Sequence, residues 1–156
     1  MDASFALARY NYGTSLFNAG KTDEAITQFR QCVLRFPDLA DAANALGYAY
    51  MREERWADAV AAYEGFLKAE PGHVEARVNL AHCLKELDRF EEAVGHLEAI
   101  AAALANAGRT ADAAAVTERA IEIAGEGELE RAAERLREAR REYAEDPGTP
   151  EPAAAP

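Results

Sequence analysis

Three histidines, two cysteines and several paired carboxylates are the residues of this chain with the means to do chemistry, and their spacing decides whether they do. His73, His82 and His96 lie too far apart for any two to share the i, i+3 or i, i+4 offset that brings two metal ligands to one helical face. His73 follows the loop dipeptide Pro71-Gly72, and His82 reads as a polar contact rather than a ligand. Cys32 and Cys83 sit inside apolar helical patterns and form no Cys-x-x-Cys pair, so both are expected to be reduced core thiols. The acidic pairs Asp23-Glu24, Glu53-Glu54 and Glu91-Glu92 fall at turns or helix starts, where solvation and the helix dipole account for them. There is no glycine-rich phosphate loop and no Gly-x-Ser-x-Gly elbow. These patterns point to a protein that is not an enzyme and needs neither metal nor cofactor.

Charge narrows the partner class. With 28 Asp+Glu against 17 Lys+Arg, the net charge of -11 repels phosphate and anionic lipid. The one dense basic run, Arg131 to Arg141, is interleaved with Glu130, Glu134 and Glu138 and reads as a solvated helix face. Nucleic acid and membrane are therefore not expected partners. The first residues lack a basic start followed by an apolar stretch, and no run reaches the ~18 apolar residues of a membrane span, so the expected location is cytoplasmic.

The elements that must position any binding surface come from a repeat. Gly13, Gly47 and Ala81 are spaced by 34 residues, as are Leu16, Tyr50 and Leu84; Ala25, Ala59 and Ala93; and Phe29, Tyr63 and Leu97. Pro37 and Pro71 close the first two copies at the same offset. Within a copy the apolar residues recur at helical spacing with a break such as Asn18-Ala19-Gly20-Lys21, so each copy is two antiparallel helices and a tight turn. Thr22 is expected to cap the second helix, and Thr110 a later one, by accepting from a free first-turn amide. Glycine costs roughly 1 kcal/mol in a helix interior, so its recurrence at positions 13 and 47 predicts close helix approach there.

The run Leu46-Gly47-x-x-Tyr50, then Ala59, Tyr63, Phe66 and Pro71, resembles the tetratricopeptide repeat, and Tyr12-Gly13-x-x-Leu16, Ala25, Phe29 and Pro37 resembles it nearly as well. Leu80, Ala81, Leu84, Ala93 and Leu97 carry a third copy. The resemblance implies an all-α fold, a right-handed α-α superhelix of about eight antiparallel helices, spanning residues 1–145. Its units are expected at about 6–39, 40–73 and 74–107, with a degenerate pair over 110–144. After residue 100 the period slips, and Ala132, Leu136 and Ala139 match the pattern five residues late. One long helix over 90–107, a helix over 110–124, a Gly-Glu-Gly turn at 125–127 and a charged capping helix over about 128–143 follow. The Pro/Ala-rich residues 146–156 are expected to be disordered, as a natural end or a linker.

In such repeats the first helix of each pair lines a concave groove, and helical spacing from the glycine register then names the lining. The first unit offers Tyr10, Asn11, Thr14, Phe17 and Asn18; the second Asn44, Tyr48, Met51 and Arg52, with Asp41; the third Val78, Asn79, His82 and Lys85, flanked by Glu75 and Glu86. Thr117 and Ile121 extend it in the degenerate pair. An Asn amide donates and accepts at once, so Asn11, Asn44 and Asn79 suit a peptide backbone, with aromatics supplying apolar area. Tyr10 and Tyr48 could instead pack on neighbouring helices, and Arg52 and Lys85 either pair with nearby acids or take a ligand carboxylate.

Family members that grip a C-terminal carboxylate use two lysines, an arginine and two asparagines. The matching places here hold Tyr10, Thr14, Ala45, Glu75 and Asn79, so that mode is disfavoured. The expected role is a protein-binding scaffold whose groove takes an extended or short helical segment of another protein. Two alternatives stand beside it. One is a secretion-type chaperone shielding an apolar client segment, although such proteins carry extra N-terminal sequence. The other is homo-oligomeric assembly, for which the Ala-rich stretch from Ala99 to Ala107, with Ala111 to Ala115, offers close-packing surface.

Overall fold

The computed structural model describes residues 3–145, and the tail expected to be disordered lies outside the described residues. Eight helices and no strand are found among the described residues: α1 (Ala3–Asn18), α2 (Thr22–Arg35), α3 (Ala40–Arg52), α4 (Trp56–Ala69), α5 (Val74–Lys85), α6 (Phe90–Asn106), α7 (Thr110–Glu126) and α8 (Glu130–Glu145). They form two compact units, α1 to α5 ending at Leu87 and α6 to α8 beginning at Asp88.

In the first unit each helix packs on the next, while α1 also meets α3 and α3 meets α5. The glycine register explains the closeness. A Cβ on Gly13 would lie 2.7 Å from the Phe29 ring, and one on Gly47 would lie 2.9 Å from the Tyr63 ring, nearer than carbon atoms approach. Both rings are fully enclosed, Phe29 at 2% and Tyr63 at 0% exposure. Glycine's helix penalty is thus offset by an aromatic ring seated directly on helix backbone.

The turns between paired helices share one geometry. Gly20, Glu54, Asp88, Gly108 and Glu128 all have φ between 55° and 76°. This left-handed residue lets the following amide reach back and satisfy a carbonyl at the helix end: Lys21 N–H to Leu16 O at 2.9 Å, Arg55 to Tyr50 at 2.9 Å, Arg109 to Leu104 at 2.9 Å and Leu129 to Ala124 at 2.8 Å. The residue after it is therefore the N-cap, which corrects the expectation for Thr22 and Thr110. Each is the first residue of its helix, preceded by Lys21 or Arg109, and neither helix has a side-chain cap. The cationic N-cap instead pairs with an acid three residues on: Lys21–Glu24 at 3.3 Å, Arg55–Asp58 at 2.6 Å and Arg109–Asp112 at 2.7 Å, with Arg89–Glu92 at 2.6 Å completing the series. Exposed pairs of this kind contribute little to stability, because water screens them. The Pro-containing turns differ: His73 accepts the Ala76 amide at its Nδ1 (3.1 Å) and caps α5, while its ring meets Phe66 edge-on at 5.0 Å.

In the second unit α7 packs against both α6 and α8. Helices α6 and α7 have 17 residues each, and three-residue turns follow them, so successive helices start 20 residues apart, a pair stride of 40 in place of 34, and Ala93, Ala113 and Ala133 all reach the interior. The buried residues of α8 are Ala133 and Leu136, whereas Ala132 and Ala139 are half-buried, one position from the expected register. Gly125 and Glu126 belong to α7, and the turn begins at Gly127, where a Cβ would lie 2.5 Å from the Phe90 side chain. Within the Ala-rich stretch Ala101 and Ala113 are buried, whereas Ala99, Ala102, Ala103, Ala107, Ala111 and Ala115 are exposed.

Both cysteines are free and buried. Burial pushes the Cys83 thiol up to about 11 from its ordinary 9.0, and burial likewise raises the Cys32 thiol. A group raised in the folded state contributes stability in full below its unfolded value and loses it as pH rises through the folded one. The urea midpoint should hold through neutral pH and fall between about pH 9 and pH 11, with a smaller fall in Cys83→Ala relative to its own neutral value. A midpoint that rises across this window would contradict the assignment.

Candidate functional site

Helices α1, α3 and α5 carry most of the residues singled out in sequence, and none of those is core. On α7, Ile121 is half-buried, but Thr117 is enclosed at 1% exposure with its hydroxyl donated to the Ala113 carbonyl at 2.8 Å, so it lines no surface. Asn11, Asn18, Tyr48 and Arg52 are exposed; Tyr10, Thr14, Phe17, Asn44, Met51, Val78, Asn79, His82 and Lys85 are half-buried. Half-burial is what a side chain achieves when one flank leans on its neighbours and the other meets solvent.

One ring contact joins two of these helices side by side: between α1 and α3, the Phe17 and Tyr48 rings meet at 5.5 Å with an interplanar angle of 60°, while Tyr48 keeps 41% of its surface exposed. Tyr63 belongs to α4, and its ring lies on the bare backbone of Gly47 in α3. Its enclosed phenol has Cys83, Asn79, Tyr48 and Glu75 within electrostatic reach. Burial pushes the phenol's pKa well above its ordinary value, and the nearby Asn79 amide pulls it back only in part. The hydroxyl is buried, and no described group stands in hydrogen-bonding geometry to it.

Further along α5 the Trp56 indole meets His82 edge-on at 5.6 Å. His82 Nδ1 lies 3.9 Å from Glu86, and Lys85 Nζ lies 4.0 Å from the same carboxylate. Of the two readings for Lys85, local pairing is therefore the one found. Tyr10 leans on Phe29 at 5.9 Å, and Thr14 donates its hydroxyl to the Tyr10 carbonyl at 3.1 Å, so these two serve the α1 interior as well as its surface. Among the described residues no hydrogen bond links the Asn11, Asn44 and Asn79 side chains to one another or ties down Asn11 or Asn44. Their amides keep their donors and acceptors for solvent or a ligand.

Sequence reasoning named only first-helix residues for the wall and so missed Trp56 of α4, which meets it at His82. A cleft of about 490 Å³ exists in the second unit, lined by Glu91, Glu98, Glu130, Arg131 and Arg135 among others. Arg135 is bound there to Glu98 at 3.1 Å, and the remaining acids are solvent-exposed carboxylates of an acidic protein. No group of three or more His, Cys, Asp or Glu among the described residues is placed to hold a metal ion. None of the described helices is long and apolar enough to cross a membrane.

Two family models described as tetratricopeptide repeat match the chain, over residues 10–65 and 50–115. Solved structures similar to it include MamA AMB-1, at 20% identity over 92% of this chain and 76% of that one with a TM-score of 0.72. MamA 41-end from Desulfovibrio magneticus RS-1 is 14% identical over 90% and 74% of the two chains, with a TM-score of 0.65. A Podosopora anserina chain with nearly identical TPR-like repeats, named for kinesin light chain, is 18% identical over 92% and 76%, with a TM-score of 0.72. At these identities the likeness is one of fold. No curated protein matches the chain.

Proposed function

Because the chain belongs to the tetratricopeptide repeat family, whose models match it from residue 10 to residue 115, we propose that it is a non-catalytic scaffold binding a segment of another protein on the α1, α3 and α5 wall. The observation that carries this is the wall's composition combined with its half-burial. Phe17, Tyr48 and Met51 offer apolar area that the core does not absorb, beside Asn11, Asn44 and Asn79 with amide groups to spare. Rigid aromatics that already lean on a neighbour lose little entropy on binding. A peptide's alternating donors and acceptors match the amides, and its apolar side chains match the rings.

Although Arg52 makes no ion pair with a described residue, Glu86 lies beside both Lys85 and His82, and Asp41 and Glu75 add exposed acid on the same helices, so a strongly acidic segment is a poor occupant. An uncharged or mildly basic segment fits better. The widely separated, buried thiols suit a reducing compartment, and the cytoplasm is where we place the protein.

The test is affinity for 12-residue peptides selected from a random display library on the wild-type chain. Tyr48→Ala with Asn44→Ala should weaken those peptides by about tenfold to a hundredfold, as loss of an interface aromatic and one amide contact does. Thermal unfolding should be nearly unchanged, since neither side chain is core. Unchanged affinity would move the binding surface elsewhere on the chain.

A further inference from the structure

We propose that the outward face of α1 joins two copies of this chain, with Phe5, Ala8, Tyr12 and Ser15 packed antiparallel against the same residues of the second copy. The inference stands apart from the binding wall, to which none of these residues belongs. Helices α3 and α5 each have a preceding helix, α2 or α4, packed against them. At matching places 34 residues apart, Ala42, Leu46 and Ala49 of α3 and Ala76, Leu80 and Cys83 of α5 are buried. Their counterparts on α1 are Ala8, Tyr12 and Ser15, and all three are exposed, Tyr12 at 55%. Phe5 on the same face is 51% exposed. No described helix precedes α1 to cover them. Helix α8, by contrast, meets solvent with arginines and glutamates, as a terminal helix of a repeat stack needs for solubility. Helix α1 keeps the residue types of an interior face instead.

Charge and shape select the occupant. The chain carries a net charge of -11, yet none of the 16 residues of α1 is acidic. The single charged side chain of α1, Arg9, is turned onto α2, where it donates to Gln28 at 3.0 Å and to Gln31, with its guanidinium 5.1 Å from the centre of the Phe5 ring. Two acidic chains therefore meet at this face without opposing carboxylates. Phe5, Ala8, Tyr12 and Ser15 stand at intervals of 3, 4 and 3, the spacing of a seam between two helices, and they alternate large, small, large, small. Reversing that order exchanges large for small. An antiparallel pair thus sets Tyr12 over Ala8 of the second copy and Phe5 over its Ser15, and a twofold axis repeats both contacts. Ser15 brings no unpaired hydroxyl, because it already donates to the Asn11 carbonyl at 2.9 Å. The Phe5 ring is steadied by Phe36, edge-on at 6.2 Å, and loses little freedom on burial. A helix of another protein needs only apolar area here; a pattern that is its own antiparallel complement favours a second copy.

Sedimentation equilibrium of the full chain over about 1–500 µM tests this. One helix pair is a small interface, so a dimer with a dissociation constant of about 10–100 µM is expected, and nothing larger, because a twofold contact closes on itself. Raising salt from about 50 to 500 mM should tighten the dimer about three- to tenfold by screening the repulsion between two acidic chains. Tyr12→Glu should weaken it at least about tenfold, since a charge would then be buried against Ala8 of the second copy. Its melting temperature should stay within about 3 °C of wild type, because the side chain is exposed in one chain. Ala8→Leu adds apolar area but sets large against large, and should weaken the dimer about threefold or more. A chain that stays monomeric throughout, growth beyond the dimer, or a dimer that salt weakens overturns the proposal. So does a dimer that Tyr12→Glu leaves intact, which would place the contact elsewhere, or one that Ala8→Leu fails to weaken, since apolar area rather than the alternation would then hold it.

Discussion

Phe29→Ala should lower the unfolding free energy by about 3–5 kcal/mol, the largest loss expected from a single change in the first unit. The ring is 2% exposed, lies against Gly13, and is flanked by Tyr10 at 5.9 Å. Truncation removes the apolar surface of a whole aromatic side chain. It also leaves a space that the neighbours cannot close, because α1 already sits at backbone distance on the Gly13 side. Total stabilities of domains are about 5–15 kcal/mol, so a loss of this size shows as a melting temperature lower by about 10 °C. Equilibrium urea denaturation followed by circular dichroism measures it, and a loss below about 1 kcal/mol would mean that the α1–α2 interface is not the packed core described.

Gly47→Ala is expected to destabilise by about 1–3 kcal/mol, although alanine is the better helix former. The added methyl would lie 2.9 Å from two Tyr63 ring carbons, and these belong to the body of a rigid ring rather than to the tip of a flexible chain. Either α3 or the ring must move, and the ring is enclosed on every side. Gly65→Ala in α4 is the matched control: a Cβ there meets nothing within 4 Å. That substitution should stabilise by about 0.5–1 kcal/mol through helix propensity alone. The opposite signs of two identical chemical changes, read as denaturant midpoints, test close approach directly. Two stabilising outcomes would remove it.

The repeat signal was legible because helical pairs that stack on one another need the same residue sizes at the same places. Gly13 with Phe29 and Gly47 with Tyr63 recur at one offset for that reason, and the structure seats each ring on its glycine. The caps were misread because the Thr22 and Thr110 hydroxyls suit an N-cap in isolation. The left-handed residue in the turn instead places Lys21 and Arg109 at that position. Glu54 and Glu128 adopt that conformation without being glycine, so composition gave no notice of it. His73 looked like a loop residue and is one, but its use as the α5 cap depends on the ring orientation that Phe66 supports.

Sequence by itself determined the helical hairpin and its stride of 34, the family it belongs to, the absence of recognised catalytic motifs and the identity of the half-exposed residues on α1, α3 and α5. These follow from local periodicity and side-chain size, which any stretch of chain carries with it. Only the tertiary structure decided that the stride of a helix pair lengthens from 34 to 40 across α6 and α7, and that the Tyr63 ring of α4 is seated on the Gly47 backbone of α3. Such a contact joins residues from different helices, and which atoms share a point in space is set by packing rather than by their order along the chain.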